Sequence, residues 1–149
     1  MAGDSDADAP QDLGRFVQAQ EADYERALAE IRTGQKRSHW MWYIFPQLDG
    51  LGSSSMARMY AIQTVAEAKA FLRHPILGPR LRQIMEATLQ VQGRSAQAIF
   101  GSTDERKLRS CATLFASVSP AGSVFELVLD KYFQGVRDGR TLELLEVDS

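Results

Sequence analysis

The sequence predicts an all-α fold, on three observations. Apolar residues recur at three- and four-residue steps in stretch after stretch, the period of a helix with one buried face. Ser, Thr or Asp stands before most of these stretches and Gly after them, the usual start and stop residues of helices. No two segments alternate apolar and polar residues across a tight turn, so no strand pair is expected. With 149 residues and 44% hydrophobic content, the chain suits one core. We expect a single compact, orthogonally packed domain of about seven helical segments over residues 12–145. Residues 1–11 form an acidic leader expected to be disordered, and 146–149 a tail.

Asp12 is expected to cap the first helix, where Leu13, Phe16 and Val17 make one stripe and Tyr24, Ala27, Leu28 and Ile31 another. The stripes do not join smoothly across Gln18 to Asp23, which leaves one kinked helix and two short ones both open. Gly34 stands where this element should stop. Ser38 is a candidate cap for a short helical turn to Tyr43 or Ile44, which Pro46 ends. A strand is the rival for this aromatic run, without an evident partner. Gly50 and Gly52 mark a turn, and Ser53 to Ser55 offer caps for a helix over Met56 to Ile62.

Thr64 and Glu67 have capping-box spacing ahead of Ala68, Phe71 and Leu72. A longer helix is expected from Pro75 or Pro79 to Gln92, with Leu81, Ile84, Met85 and Leu89 inward and Gly93 as its stop. Ser95 to Phe100 reads as a turn ended by Gly101. Ser102 or Thr103 should cap a helix to Ser117, striped by Leu108, Cys111, Leu114 and Phe115. Ser119-Pro120 is read as the start of a helix to Gln134 whose apolar residues cover nearly every face, so it should be the most buried. Thr141 is read as the cap of a final turn.

Composition narrows the function classes. Net charge is −2, which disfavours generic nucleic-acid binding. The single Cys111 allows no intrachain disulfide and fits a reducing compartment. The longest apolar run, Trp40 to Pro46, is far too short for a membrane span, and the N-terminus lacks the pattern of a signal peptide. A cytoplasmic protein is expected. Two histidines and one cysteine make no usual zinc site, and the common nucleotide-loop and hydrolase motifs are missing, so neither metal nor cofactor is implied.

The motifs resemble one family. Gly34-Gln-Lys36-Arg-Ser38-His39-Trp40-Met-Trp42, then Phe45-Pro46-Gln47 and Gly50-Leu-Gly52-Ser53, look like the signature of the domain-of-unknown-function 1810 family. The likeness continues through Glu67-Ala68, Phe71-Leu72, His74-Pro75, Leu77-Gly78, Arg80-Leu81, Phe100-Gly101, Asp104, Lys107-Leu108, Ser110, Thr113-Leu114-Phe115, Asp138 and Thr141-Leu142. It covers roughly residues 13 to 145 and implies a small, mostly helical protein of bacterial type. The family brings no established activity. Some members are labelled calpastatin, but this chain has no inhibitor-type repeat.

The candidate site is the stretch from Lys36 to Ser53, which holds both tryptophans and a basic pair with no carboxylate from Ile31 to Leu48. His39 is the candidate general acid or base, since an imidazole near cations stays neutral and able to take a proton. The bland alternative is a ring packed on Trp40 or Trp42. Lys36, Ser38, Gln47 and Ser53 are candidate ligand contacts, with Trp42 as an aromatic wall for a planar group. The Gly50-Gly52-Ser53 turn ahead of a helix could present backbone N–H groups to an anion, or be a plain capped turn. Arg80 is carried by the family resemblance as a possible anion clamp. Asp104, Lys107, Ser110 and Thr113 trace a polar stripe, read either as a surface Asp104–Lys107 ion pair or simple N-terminal charge or, functionally, as Lys107 and Ser110 facing the site that holds His39. The leading expectation is a pocket for a small anionic metabolite, nucleotide-like or phosphorylated. The alternatives are an enzyme using His39, with a lysine stabilising negative charge, and an interaction module using Trp40 to Phe45.

Overall fold

Leu13, Phe16, Gln20, Tyr24, Ala27, Leu28 and Ile31 share one buried face, and they do so on a single uninterrupted helix, α1 (Leu13–Arg32). Gln20 joins the two apolar stripes. It occupies a core position where an apolar residue would have made the pattern continuous. Its amide donates to the Tyr43 carbonyl (2.8 Å) and accepts from Arg80 (3.4 Å), so a buried polar group is satisfied. Gly34 ends the helix at φ +82, a conformation that residues with a Cβ rarely adopt.

The computed structural model describes residues 13–148. The leader and the expected cap at Asp12 lie outside them. The chain continues through α2 (Met41–Ile44), α3 (Ser55–Met59), α4 (Val65–Arg73), α5 (Leu77–Gln90), α6 (Ala96–Phe100), α7 (Ser102–Ser117), α8 (Val124–Phe133) and α9 (Gly139–Asp148). The described residues thus hold nine helices, more than the seven expected, and no strand. An isolated parallel bridge between Leu48 and Ile62 ties the central stretch to the chain after α3. Among the described residues, no helix is long and apolar enough to cross a membrane.

Several local expectations meet their geometry. Thr64 accepts from Glu67 N–H (3.0 Å), while Glu67 reaches back to Gln63 N–H (2.7 Å), one residue before the expected reciprocal partner. Ser95 caps α6 through Ala98 N–H, and Ser54, not Ser53, caps α3 through Ala57 N–H. Other starts differ. Ser123 caps α8, while Ser119 and Pro120 lie in the loop before it. Asp138, not Thr141, heads α9: its carboxylate accepts from Thr141 N–H (2.9 Å) and Thr141 Oγ1 (2.5 Å). Ser119 and Ser123 are equal as caps, so residue type does not choose between them, whereas Asp138 outranks Thr141.

Helix α7 holds more buried residues than any other described helix, contrary to the expectation for α8. Leu108, Ser110, Cys111 and Thr113 to Phe115 are all covered, because α7 packs against α4, α6, α8 and α9. On α8 only Phe125, Val128 and Leu129 are buried, and Leu127 is 45% exposed. Helix α5 lies against α1, α4 and α8. Its entry depends on two family-motif residues. His74 Nδ1 accepts from Ile76 and Leu77 N–H (3.1 and 3.2 Å), serving the free donors of the first turn. Gly78 packs where a Cβ would stand 2.1 Å from the Leu72 carbonyl oxygen.

Candidate functional site

The central stretch is held down by a residue outside it. Glu30, on the outer part of α1, accepts four hydrogen bonds: from Arg37 N–H (2.8 Å), Ser38 N–H (3.0 Å), Ser38 Oγ (2.6 Å) and Trp40 Nε1 (2.9 Å). Burial pushes the Glu30 carboxyl up, but these donors outweigh it and hold it down at about 2. Ser38 is therefore a partner of Glu30 and not a helix cap. Trp40 is fully buried and packs near Phe45, which meets Phe100 edge-on at 5.6 Å. Met41, Tyr43, Ile44 and Phe45 are buried too, so the run from Trp40 to Phe45 is core except for the half-buried Trp42 and forms no flat exposed aromatic patch.

Asp104, in the first turn of α7, sits between two lysines from different parts of the chain. Lys36 Nζ lies 2.9 Å from Oδ2 and Lys107 Nζ 2.8 Å from Oδ1. The side chains are 9%, 15% and 18% exposed for Lys36, Lys107 and Asp104, dry enough for the charges to interact more strongly than on an open surface. Burial alone would raise the Asp104 carboxyl, and the hydrogen bonds and charges of Lys107 and Lys36 bring it below its ordinary range. Each lysine also covers a tryptophan. Lys36 Nζ stands 5.0 Å from the Trp40 ring centroid and Lys107 Nζ 4.4 Å from that of Trp42.

A cavity of about 270 Å³ opens beside Lys107. Trp42, Gln47 and Leu51 line it from the central stretch, and Arg106, Lys107 and Ser110 from α7. Asp138 and Arg140 complete it from the start of α9. Three cations and one carboxylate therefore converge on one hollow of a chain whose net charge is −2. Ser110 Oγ donates to the Arg106 carbonyl (3.0 Å), and Asp138 spends Oδ2 on Thr141. The Gln47 amide and Asp138 Oδ1 make no hydrogen bond with a described residue. Gly52 abuts the same tryptophan. A Cβ there would be 2.8 Å from Ala57 Cβ and 3.7 Å from the Trp42 ring.

Of the residues expected from the sequence to contact a ligand, Trp42, Gln47 and Lys107 meet in this cavity. Lys36 stands behind it, on the far oxygen of Asp104 from Lys107. Ser38 belongs to the Glu30 anchor. Ser53 is exposed, and its carbonyl accepts from Arg58 (2.7 Å). Arg80 joins α5 to α1 through Gln20, Glu21 and the face of Tyr24, apart from the cavity lining. His39 is exposed, lies outside the lining, and its ring bonds no described residue. Arg106, Asp138 and Arg140 were not singled out as ligand contacts from sequence. Asp138 carries only the family resemblance, and the two arginines only their positions, Arg106 one residue before Lys107 and Arg140 two after Asp138.

Among the described residues, no cluster of three His, Cys, Asp or Glu side chains has the geometry of a metal site. Burial pushes the Cys111 thiol well up, so it stays a protonated core residue. A second, larger cavity of about 430 Å³ lies between α4, the end of α7 and α9, among Val65, Val118, Leu142 and Leu145. It is mostly apolar.

Fold and cavity together define an all-helical protein with a cation-lined hollow walled by a tryptophan. The chain belongs to the family described as Protein of unknown function (DUF1810), which it matches over residues 10–145. It is similar to the conserved hypothetical protein Rv1873 from Mycobacterium tuberculosis, known from a crystal structure: 49% identity over 93% of this chain and 99% of that one, with a TM-score of 0.90. No curated protein matches it.

Proposed function

We propose that the protein binds a small anionic metabolite, carrying a phosphoryl or carboxylate group, in the cavity beside Lys107. The observation that supports this is the convergence of Arg106, Lys107 and Arg140 on one hollow of an otherwise acidic chain. Arg forks match the paired oxygens of such groups, and Lys supplies a point charge. Asp104 holds Lys107 in place, and Lys36 neutralises Asp104 from the other side, so Lys107 keeps its charge for the cavity. Among the described residues Arg140 pairs only with Glu143, in an ion pair whose partners are 62% and 71% exposed, and such pairs are worth little. It is free to turn inward. Binding is favoured over catalysis because the lining holds no imidazole and no nucleophile beside a base. The interaction-module reading loses its surface, since Trp40 and Phe45 are buried.

A thermal-shift screen tests the proposal. A ligand that binds only the folded state at about 100 times its Kd stabilises by about 2.7 kcal/mol. Phosphorylated or carboxylated compounds should raise the melting temperature, while uncharged analogues should not. The Arg106→Gln/Arg140→Gln double variant should lose that response with its unliganded melting temperature nearly unchanged, because both side chains are exposed. A screen in which no anion acts, or a double variant that responds like the parent, would refute the proposal.

A further inference from the structure

Resting on that reading, we infer that the ligand class is a phosphorylated sugar or polyol and not a nucleotide held by base stacking. A planar base needs an open aromatic face. Lys107, which lines the cavity together with Trp42, occupies one face of that ring: its ammonium stands 4.4 Å from the ring centroid and is held by Asp104 at 2.8 Å. On the Gly52 side the ring borders a hollow of only about 10 Å³, too small for a base. Trp42 thus serves as a wall and a seat for Lys107. The cavity, at about 270 Å³, also lies at the small end for metabolite sites, which run from about 300 to 1,000 Å³.

The remaining polar groups suit hydroxyls. Phosphate offers only acceptors to the three cations, yet the lining also holds a carboxylate, which repels phosphate. Asp138 Oδ1 is uncommitted because Oδ2 takes both bonds from Thr141. It can accept from a ligand hydroxyl. Gln47 carries an unspent amide that can donate and accept, and Ser110 Oγ, whose proton goes to the Arg106 carbonyl, has a lone pair to offer. A site with cations for a phosphoryl group and acceptors for neighbouring hydroxyls matches a compact phosphorylated polyol.

Calorimetric titration with inorganic phosphate, ribose 5-phosphate and adenosine monophosphate tests this. Ribose 5-phosphate should bind at least about tenfold tighter than inorganic phosphate, and adenosine monophosphate no tighter than ribose 5-phosphate. Asp138→Asn keeps a residue that caps helices equally well but removes the charge and turns an NH2 group toward the cavity. It should weaken ribose 5-phosphate and leave inorganic phosphate unchanged or tighter. Gln47→Leu, in a loop, should weaken ribose 5-phosphate selectively and provides the same comparison if Asp138→Asn is unstable. Tighter binding of adenosine monophosphate, or parallel changes for both smaller ligands in the variants, overturns the inference while leaving anion binding intact. Absence of binding by every phosphorylated probe overturns the anion-binding proposal and this inference with it.

Discussion

Replacing Glu30 should unfasten the central stretch, and the cost follows from its four donors. Trp40 is fully buried, and in Glu30→Ala its indole N–H loses its acceptor. A buried donor left unpaired costs about 1–3 kcal/mol. Arg37 N–H is exposed and Ser38 is half-buried, so those donors recover solvent and lose only the net value of each bond, about 0.5–1.5 kcal/mol at most. The better helix propensity of Ala returns a few tenths, about 0.3 kcal/mol. A loss of at least about 2 kcal/mol is expected, read as a lower urea midpoint at unchanged slope. The charge has its own signature. The folded-state carboxyl is held near 2 against an ordinary 4.5, a depressed value, so its stabilisation is complete above about pH 5 and is lost as pH falls toward 2. The stability gap between wild type and Glu30→Gln should be constant at neutral pH and close through that acid window. A Glu30→Ala loss below about 0.5 kcal/mol, or a gap independent of acid, would refute the reasoning.

Two further predictions concern packing. Gly78→Ala should destabilise by about 1–3 kcal/mol or more, because the new Cβ meets the Leu72 carbonyl and α4 must move; a melting curve matching wild type would contradict the close approach. Leu129→Ala should cost about 2–5 kcal/mol in chemical denaturation, since Leu129 is 1% exposed on the face of α8 that meets α7 and α5; a neutral result would make α8 peripheral.

The helices were legible because period and punctuation agree over most of the chain. Where they were misread, a local rule was obeyed by a different residue. Gln20 broke the stripe of α1 because its partners, the Tyr43 carbonyl and Arg80, lie 23 and 60 positions away. Ser119-Pro120 has a good start signal, but Ser123 takes the role. Burial of α7 over α8 depends on which helices surround each, which periodicity within one element does not record. At the candidate site, the basic stretch and Trp42, Gln47 and Lys107 could be named from composition and motif. Arg106 and Arg140 look like ordinary surface arginines in sequence. Only the packing of α9 against α7 brings them to one hollow. Glu30 was equally silent, because nothing in a helix stripe marks an outer carboxylate as the acceptor for an indole ten residues on.

The central claim is that the cations beside Trp42 bind a phosphorylated ligand, and an NMR titration tests it at the level of residues. Ribose 5-phosphate would be added to the isotopically labelled protein up to about 10 mM, enough to reveal a Kd near 1 mM, about −4.1 kcal/mol. The account predicts saturable shifts at Gln47, Leu51, Arg106, Lys107, Ser110, Asp138 and Arg140 and at the Trp42 indole N–H, with the Trp40 indole, His39 and Arg80 little changed. No shifts at that concentration, or shifts centred on His39, Arg80 or the apolar cavity around Leu145, would contradict it.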